Sequence, residues 1–505
     1  YTMLLADVSS STAPRTLETG SVYLERYLDG EGIGQRNIES KAISWQSYFL
    51  DNHIIGLYGI REDDTESFSA ATESELGIDN QLPGGRWNPN FTRLSAEPSL
   101  VESGDTSTWS VVGRYPEVLL GDLPWGMDLQ VHYSESENFN PIGLRNDALG
   151  REIGQPTGTT KEYGFTTSFL ENKLTFKANW FETKINDSSA GVSINLGNFV
   201  YNQINSYRDA ELQGIPFSDQ LVTVNGNPED FPIQDYSTYY QVLEDSVPVE
   251  LRERLNPRQV DEDEDGVWDR IERDPIPNLR STQDRVAEGF EFEVVANPNP
   301  NLRLFSNISR QETILDNSAT VLSQLVEAFN LKTDQSRILE TRDDGLGVFI
   351  ERTTAEIWLP NIANLRSVTA KDGTVSNEQR KWRATLGMNY SFTEGRLAGV
   401  SIGGSARWED KAATGYVFVV EDETGLPVPD VSRPFYDDGL FSGDLWLSYG
   451  SKLFDDKIDW KIQLNIRNLV GEDDDIPVRT NPDGQVAVVR IPNPRTVYLS
   501  NTFRF

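Results

Sequence analysis

Residues 381–392 read KWRATLGMNYSF and alternate without a break. Trp382, Ala384, Leu386, Met388, Tyr390 and Phe392 fall on one face. Lys381, Arg383, Thr385, Gly387, Asn389 and Ser391 fall on the other. Successive side chains of a strand point to opposite faces, so this period of two makes one apolar and one polar face. Ten steps of about 3.3 Å give about 33 Å of strand. Tilted by about 40–45°, such a strand rises about 24–25 Å, the height of the apolar band of a membrane barrel. Sandwich strands are commonly about half as long. Aromatic residues close the stripe at both ends, as interfacial girdles do.

The same alternation recurs in AGVSIGGSARW, residues 398–408, and in KIDWKIQLNIR, residues 457–467. Here Val400, Ile402, Gly404, Ala406 and Trp408, then Ile458, Trp460, Ile462, Leu464 and Ile466, form the apolar faces. Connections alternate in length. Short ones are expected near 50–53, 170–173, 297–301, 393–397 and 452–457. Long ones are expected near 71–105, 139–160, 187–281, 313–379, 410–440 and 470–493. Short turns at one end and long loops at the other are the rhythm of bacterial outer-membrane barrels, and a compact soluble domain rarely carries several long irregular loops. About fifteen strands are expected. The last, RTVYLSNTFRF, turns Val497, Leu499, Phe503 and Phe505 toward lipid and Thr496, Tyr498, Ser500 and Thr502 inward. Its closure onto the first strand would remove an exposed edge.

Charge and composition exclude whole classes. The 505 residues hold 79 acidic and 45 basic side chains, a net charge of −34, which is the wrong sign for a phosphate backbone. There is no cysteine, so no disulfide framework, thiolate site or cysteine nucleophile. The two histidines, His53 and His132, leave little for a zinc site or a histidine relay. No nucleophile–base set stands out, and a non-enzyme is expected. No apolar run is long enough for a membrane helix, which a β-barrel does not need. His132 is opposite in phase to Leu129, Val131 and Tyr133 and is expected as a hydrogen-bonded lumen residue. The first residue is Tyr1 rather than Met, and the reading is of a fragment.

One motif is sharp. DEDEDGVWDRIE, residues 261–272, fits D-x-D-x-D-G-x5-E position for position. Asp261, Asp263 and Asp265 supply carboxylates, and Gly266 permits the tight turn. Val267 offers a backbone carbonyl, Asp269 a direct or water-mediated ligand, and Glu272 a bidentate carboxylate. Calcium takes 6–8 hard oxygens, which this spacing wraps around one ion. Pro257 and Pro275 bound the segment, so an isolated structural Ca2+ loop is expected rather than a helix–loop–helix switch; the alternative is a solvated acidic run. A short loop helix is expected from Val321, Leu322, Leu325, Val326 and Phe329, with Ser318 as its cap.

Several stretches, in order, resemble one family. These are SWQSYFLDNHIIGLYGIREDD with Gly59, Arg61 and Asp63; DLQVHYSESENFNP with Ser136, Phe139 and Pro141; KEYGFTTSFLENKLTFKANWFETKIND; EGFEFEVVANPNPNLRLFSNIS; and WKIQLNIRNLVGEDD before the final strand. Together they resemble the barrel of TonB-dependent outer-membrane receptors. The resemblance implies an all-β fold: an antiparallel transmembrane β-barrel, here partial, with about 15 of 22 strands over residues 1–505. It implies that the N-terminal plug and its TonB-contacting segment lie outside the matched stretch. It further implies outer-membrane lipid as surroundings, extracellular loops 187–281 and 313–379, and TonB-driven uptake of a scarce small-molecule or oligosaccharide ligand. A metal–siderophore, a cobalamin-like cofactor and an oligosaccharide all stay open. Arg252, Arg254 and Arg258 are a local basic patch that could offset the acidity toward an anionic ligand. The rivals are a passive porin-type channel and a soluble, calcium-stabilised extracellular β-rich binding protein.

Overall fold

The computed structural model describes residues 33–71, 76–78, 81–82, 86–88, 93–217, 235–328, 342–343, 349–350, 354–421, 425–455, 457–471 and 474–505. Thirteen long strands form one antiparallel sheet, each paired with its neighbours in chain order. They are β1 (Gln35–Phe49), β2 (Ile54–Phe68), β3 (Leu100–Arg114), β4 (Asp128–Phe139), β5 (Thr157–Phe169), β6 (Leu174–Ser189), β7 (Thr282–Asn299), β8 (Leu302–Asp316), β9 (Trp382–Ser391), β10 (Val400–Glu409), β11 (Leu440–Leu453), β12 (Ile458–Gly471) and β13 (Thr496–Arg504). Connections alternate short and long throughout, so every long one, including 190–281 and 317–381, leaves from the same end of the wall.

The sheet keeps the alternation read from the sequence. Along β9, Leu386 and Met388 are 61% and 48% exposed on the outward face. Their cross-strand partners are Ser306 and Leu304 on β8 and Ala406 and Gly404 on β10. An apolar face left this open over thirteen strands has no place in water, whereas lipid solvates it. Rings line it: Trp109 lies 5.1 Å from Tyr133, Tyr163 5.9 Å from Trp180, and Phe290 5.5 Å from Trp382. Toward the turns, Tyr449 and Trp460 are 5.9 Å apart, and Trp460 pairs with Phe503. Two register pairs toward the loops, on the same face, Lys161, Glu182, Glu288 and Glu312 follow Tyr163, Trp180, Phe290 and Arg310 and make that row charged throughout.

The opposite face is polar and closely fitted. His132 Nε2 meets Asn179 Oδ1 at 3.0 Å across β5, so the expected hydrogen-bonded lumen histidine is what is found. They reach each other past Gly164, where a side chain would collide with the His132 ring. Trp446 Nε1 donates to Asn389 Oδ1 at 2.9 Å.

Two expectations need amending. Thirteen strands, not about fifteen, form the wall among the described residues, and residues 1–32 lie outside them. The first described strand, β1, does not pair with β13, and among the described residues neither has a second neighbour. The physical reason is direction. β1 enters a short turn and β13 leaves a long loop, so both run toward the turn end and cannot be antiparallel neighbours.

The hydrophobic core lies in the long connections instead. Helices α1 (Leu196–Leu212), α2 (Tyr236–Ser246), α3 (Val249–Leu255), α4 (Thr320–Ala328) and α5 (Thr354–Thr369) bring together Val200, Tyr201, Ile204, Tyr239, Leu243 and Leu251, with Leu322, Leu325 and Leu365 in the same cluster. The loop helix expected near 318–332 is α4, with Leu322, Leu325 and Val326 buried; Phe329 lies outside the described residues. Ser318 is not its cap: Ala319 precedes Thr320, and the backbone N–H of Ser318 donates to Asp372 Oδ2 at 3.0 Å.

Candidate functional site

The acidic loop sits in this helical cap. It is held between two short strands, Arg258–Val260 and Arg270–Glu272, paired antiparallel. A ribbon replaces the helices that flank an EF-hand loop, in keeping with Pro257 and Pro275 on either side. Asp261, Asp263 and Asp265 converge, with one oxygen of each within 4.8 Å of the others. The turn is built from their own backbone contacts. Gly266 N donates to Asp261 Oδ2 at 2.8 Å and Val267 N to Asp265 Oδ1 at 2.8 Å. Gly266 has φ +87°, a conformation that a β-carbon would strain.

The remaining three positions are placed differently. Val267 stays in the loop, half exposed. The Asp269 carboxylate accepts from Glu262 N at 2.6 Å, and Glu272 is 2.7 Å from Arg270 Nη2. Three of the five carboxylates are therefore gathered, and two are engaged elsewhere. The gathered set is all hard oxygen, which fits Ca2+ and not a soft metal.

Side chains that the sequence reading passed over tie this ribbon to α1. Asn205 Nδ2 donates to Ile271 O at 3.0 Å, and Ile271 N donates to Asn205 Oδ1 at 2.7 Å. Arg208 Nε donates to Trp268 O at 2.8 Å, and its guanidinium lies 4.4 Å from the Trp268 ring centre. Arg273 donates to Asn198 Oδ1 and Asn202 Oδ1, both at 2.9 Å. Ile271 itself is buried in the cap core. Whatever fixes residues 261–269 therefore bears on α1 through the ribbon.

The basic patch is mostly spent. Arg258 pairs with Asp274 at 2.8 Å and Arg252 with Asp245 at 3.9 Å. Two other arginines are better placed for a ligand. Arg407 and Arg467 line a cavity of about 640 Å3 on the inner face, with Asp444, Asn468 and Thr496. Neither makes an ion pair among the described residues, while Glu409 beside them is held 3.5 Å from Arg380.

Among solved structures, the chain is similar to the ferric-catecholate import receptor Fiu of E. coli K12 in its closed form. Identity is 15%, the TM-score is 0.43, and 93% of this chain and 45% of that chain are covered. It is also similar to the outer-membrane ferripyoverdine receptor of Pseudomonas aeruginosa (12% identity, TM-score 0.40, 93% and 48% covered). A third is the alcaligin outer-membrane receptor FauA of Bordetella pertussis (10%, 0.38, 87% and 44%). Among its described residues the chain is an all-β antiparallel sheet of thirteen strands. It spans under half the length of these three receptors. No family model matches it, and no curated protein does. At this identity the likeness is one of fold, and ligand and partner do not follow from it.

Proposed function

We propose that this chain forms part of an outer-membrane receptor-transporter that captures a scarce small-molecule or oligosaccharide ligand at its loop end. The supporting observation is the wall itself: thirteen antiparallel strands, an exposed apolar outward face bordered by rings, and every long connection at one end. In this reading lipid surrounds the outward face and the cap stands outside the cell. The polar inner face, with Arg407 and Arg467, borders the ligand's route. Passage is driven by TonB acting through a plug against the inner face. In the cap, Asp261, Asp263 and Asp265, with the Val267 carbonyl, hold a structural Ca2+. The ion neutralises gathered carboxylates and makes the loop rigid.

Two measurements test it. Cell fractionation is expected to leave the protein in the outer membrane, soluble only in detergent and with heat-dependent gel mobility; extraction in plain buffer would favour the soluble rival. Uptake of radiolabelled ferric siderophores, cobalamin and oligosaccharides is then compared in cells with and without TonB. Uptake of one of them that disappears without TonB supports active import. Uptake indifferent to TonB would make the protein a passive channel.

A further inference from the structure

The connection between β3 and β4, residues 115–127, reads YPEVLLGDLPWGM and lies at the turn end of the wall. It is longer than closure needs, since β1–β2 and β5–β6 close with residues 50–53 and 170–173. Its single helical turn Glu117–Leu120 and the 3-10 turn Pro124–Gly126 bury nothing. Val118, Leu119, Leu120 and Trp125 are instead 91%, 73%, 67% and 76% exposed. The segment is tied down on both sides. Arg114 N donates to His53 O at 2.7 Å, and Leu170 N donates to Trp125 O at 3.0 Å. Leu50 and Leu170, on those flanking turns, are also exposed and extend the apolar edge.

We propose that residues 115–127 are an interfacial foot, which sinks Val118, Leu119, Leu120 and Trp125 into a phospholipid leaflet on the turn side of the wall. The inference rests on the reading of the outward face as lipid-facing. Continuity supports that occupant: the foot prolongs the strip of Trp109, Val111 and Val131, which is exposed on the outward face directly above it. Tryptophan and short apolar turns settle at the boundary between headgroups and acyl chains. The segment has two acids, Glu117 and Asp122, and no lysine or arginine. Attraction to anionic headgroups is therefore absent, and the leaflet it fits is zwitterionic, held by apolar burial that salt does not screen.

The chain has no cysteine, so single thiols report cleanly. Leu119→Cys, Leu386→Cys on the outward face and Asp483→Cys in the loops would each carry an environment-sensitive fluorophore. The full-length protein would be reconstituted in phosphatidylethanolamine–phosphatidylcholine vesicles. Brominated acyl chains are expected to quench the labels at 119 and 386 alike, and iodide to quench only the label at 483, at low and high salt. Iodide quenching at 119 with lipid quenching at 386 would overturn the foot and leave the barrel standing. Shielding of 119 from both quenchers would overturn it in favour of a protein partner. Loss of lipid quenching at 386 would overturn the barrel reading and the foot together.

Discussion

At the acidic loop, spacing made half of the geometry readable. Asp261, Asp263 and Asp265 are two residues apart, and a tight turn at Gly266 folds such neighbours onto one point. Asp263→Asn removes one of three gathered charges and is expected to weaken Ca2+ binding by about tenfold, or about 1.4 kcal/mol, measured by calorimetric titration. An unchanged affinity would mean that the acidic run is only solvated. Asn205 was not readable, because its partner Ile271 lies 66 residues away and a lone asparagine on a helix announces no contact. Its amide satisfies both backbone groups of Ile271, in a strand whose side chain is buried. Asn205→Ala leaves both unmet and is expected to cost the cap about 2 kcal/mol. Hydrogen exchange would read this as faster exchange over residues 258–272 with the wall unchanged. Equal protection in both proteins would show that the ribbon is held by other means.

The strands were legible as elements because each has one apolar outward face and one polar face, which prints a period of two. The cap helices were harder. In α1, Leu196, Val200, Tyr201, Ile204 and Tyr207 follow helical spacing behind an Asn195 cap that accepts from Asn198 N at 2.9 Å. That signal was present, but it sits inside a connection that the barrel pattern marks only as a long loop. α2 is capped by Asp235, whose carboxylate accepts from Thr238 N at 2.8 Å. The backbone bond from Thr238 and then its hydroxyl hold the Asp235 carboxyl below the usual carboxylate range. A folded pKa below the unfolded one gives stability above the unfolded value, lost as pH falls through the folded one. Tyr201 works at the other limit. Burial, then the nearby Glu244 charge, pushes its phenol up to about 12, so its contribution is whole below about pH 10 and lost as pH rises through 12. Burial also raises Tyr207 and Tyr240. The cap is therefore expected to loosen in alkali between about pH 10 and 12 while the wall persists. Tyrosine absorbance with far-ultraviolet dichroism would follow the two parts. Phenols that ionise near pH 10 without loss of helix would sink this account.

Among the described residues the wall is open, and the direction of its edges says how it can close. β1 and β13 both run toward the turn end, and a transmembrane sheet tolerates no bare edge in lipid. Between two antiparallel neighbours that themselves run the same way, an odd number of strands must stand. Thirteen plus an odd number is even, as in bacterial single-chain barrels. If the sheet is the transmembrane barrel proposed above, its closure takes further strands and the two edges do not meet. The absence of cysteine again gives a direct test. Ile43 and Ile60 are register partners on β1 and β2, while Leu499 lies on β13. A short bifunctional thiol reagent is expected to link Ile43→Cys to Ile60→Cys in the membrane-inserted monomer. It is expected to leave the Ile43→Cys, Leu499→Cys pair unlinked, because at least one strand, spaced about 4.8 Å from each neighbour, lies between them. Efficient linkage of 43 to 499 within one chain would mean parallel closure of the thirteen-strand wall. The inner face would then enclose a narrower pore without room for a plug, and a passive channel would become the better reading.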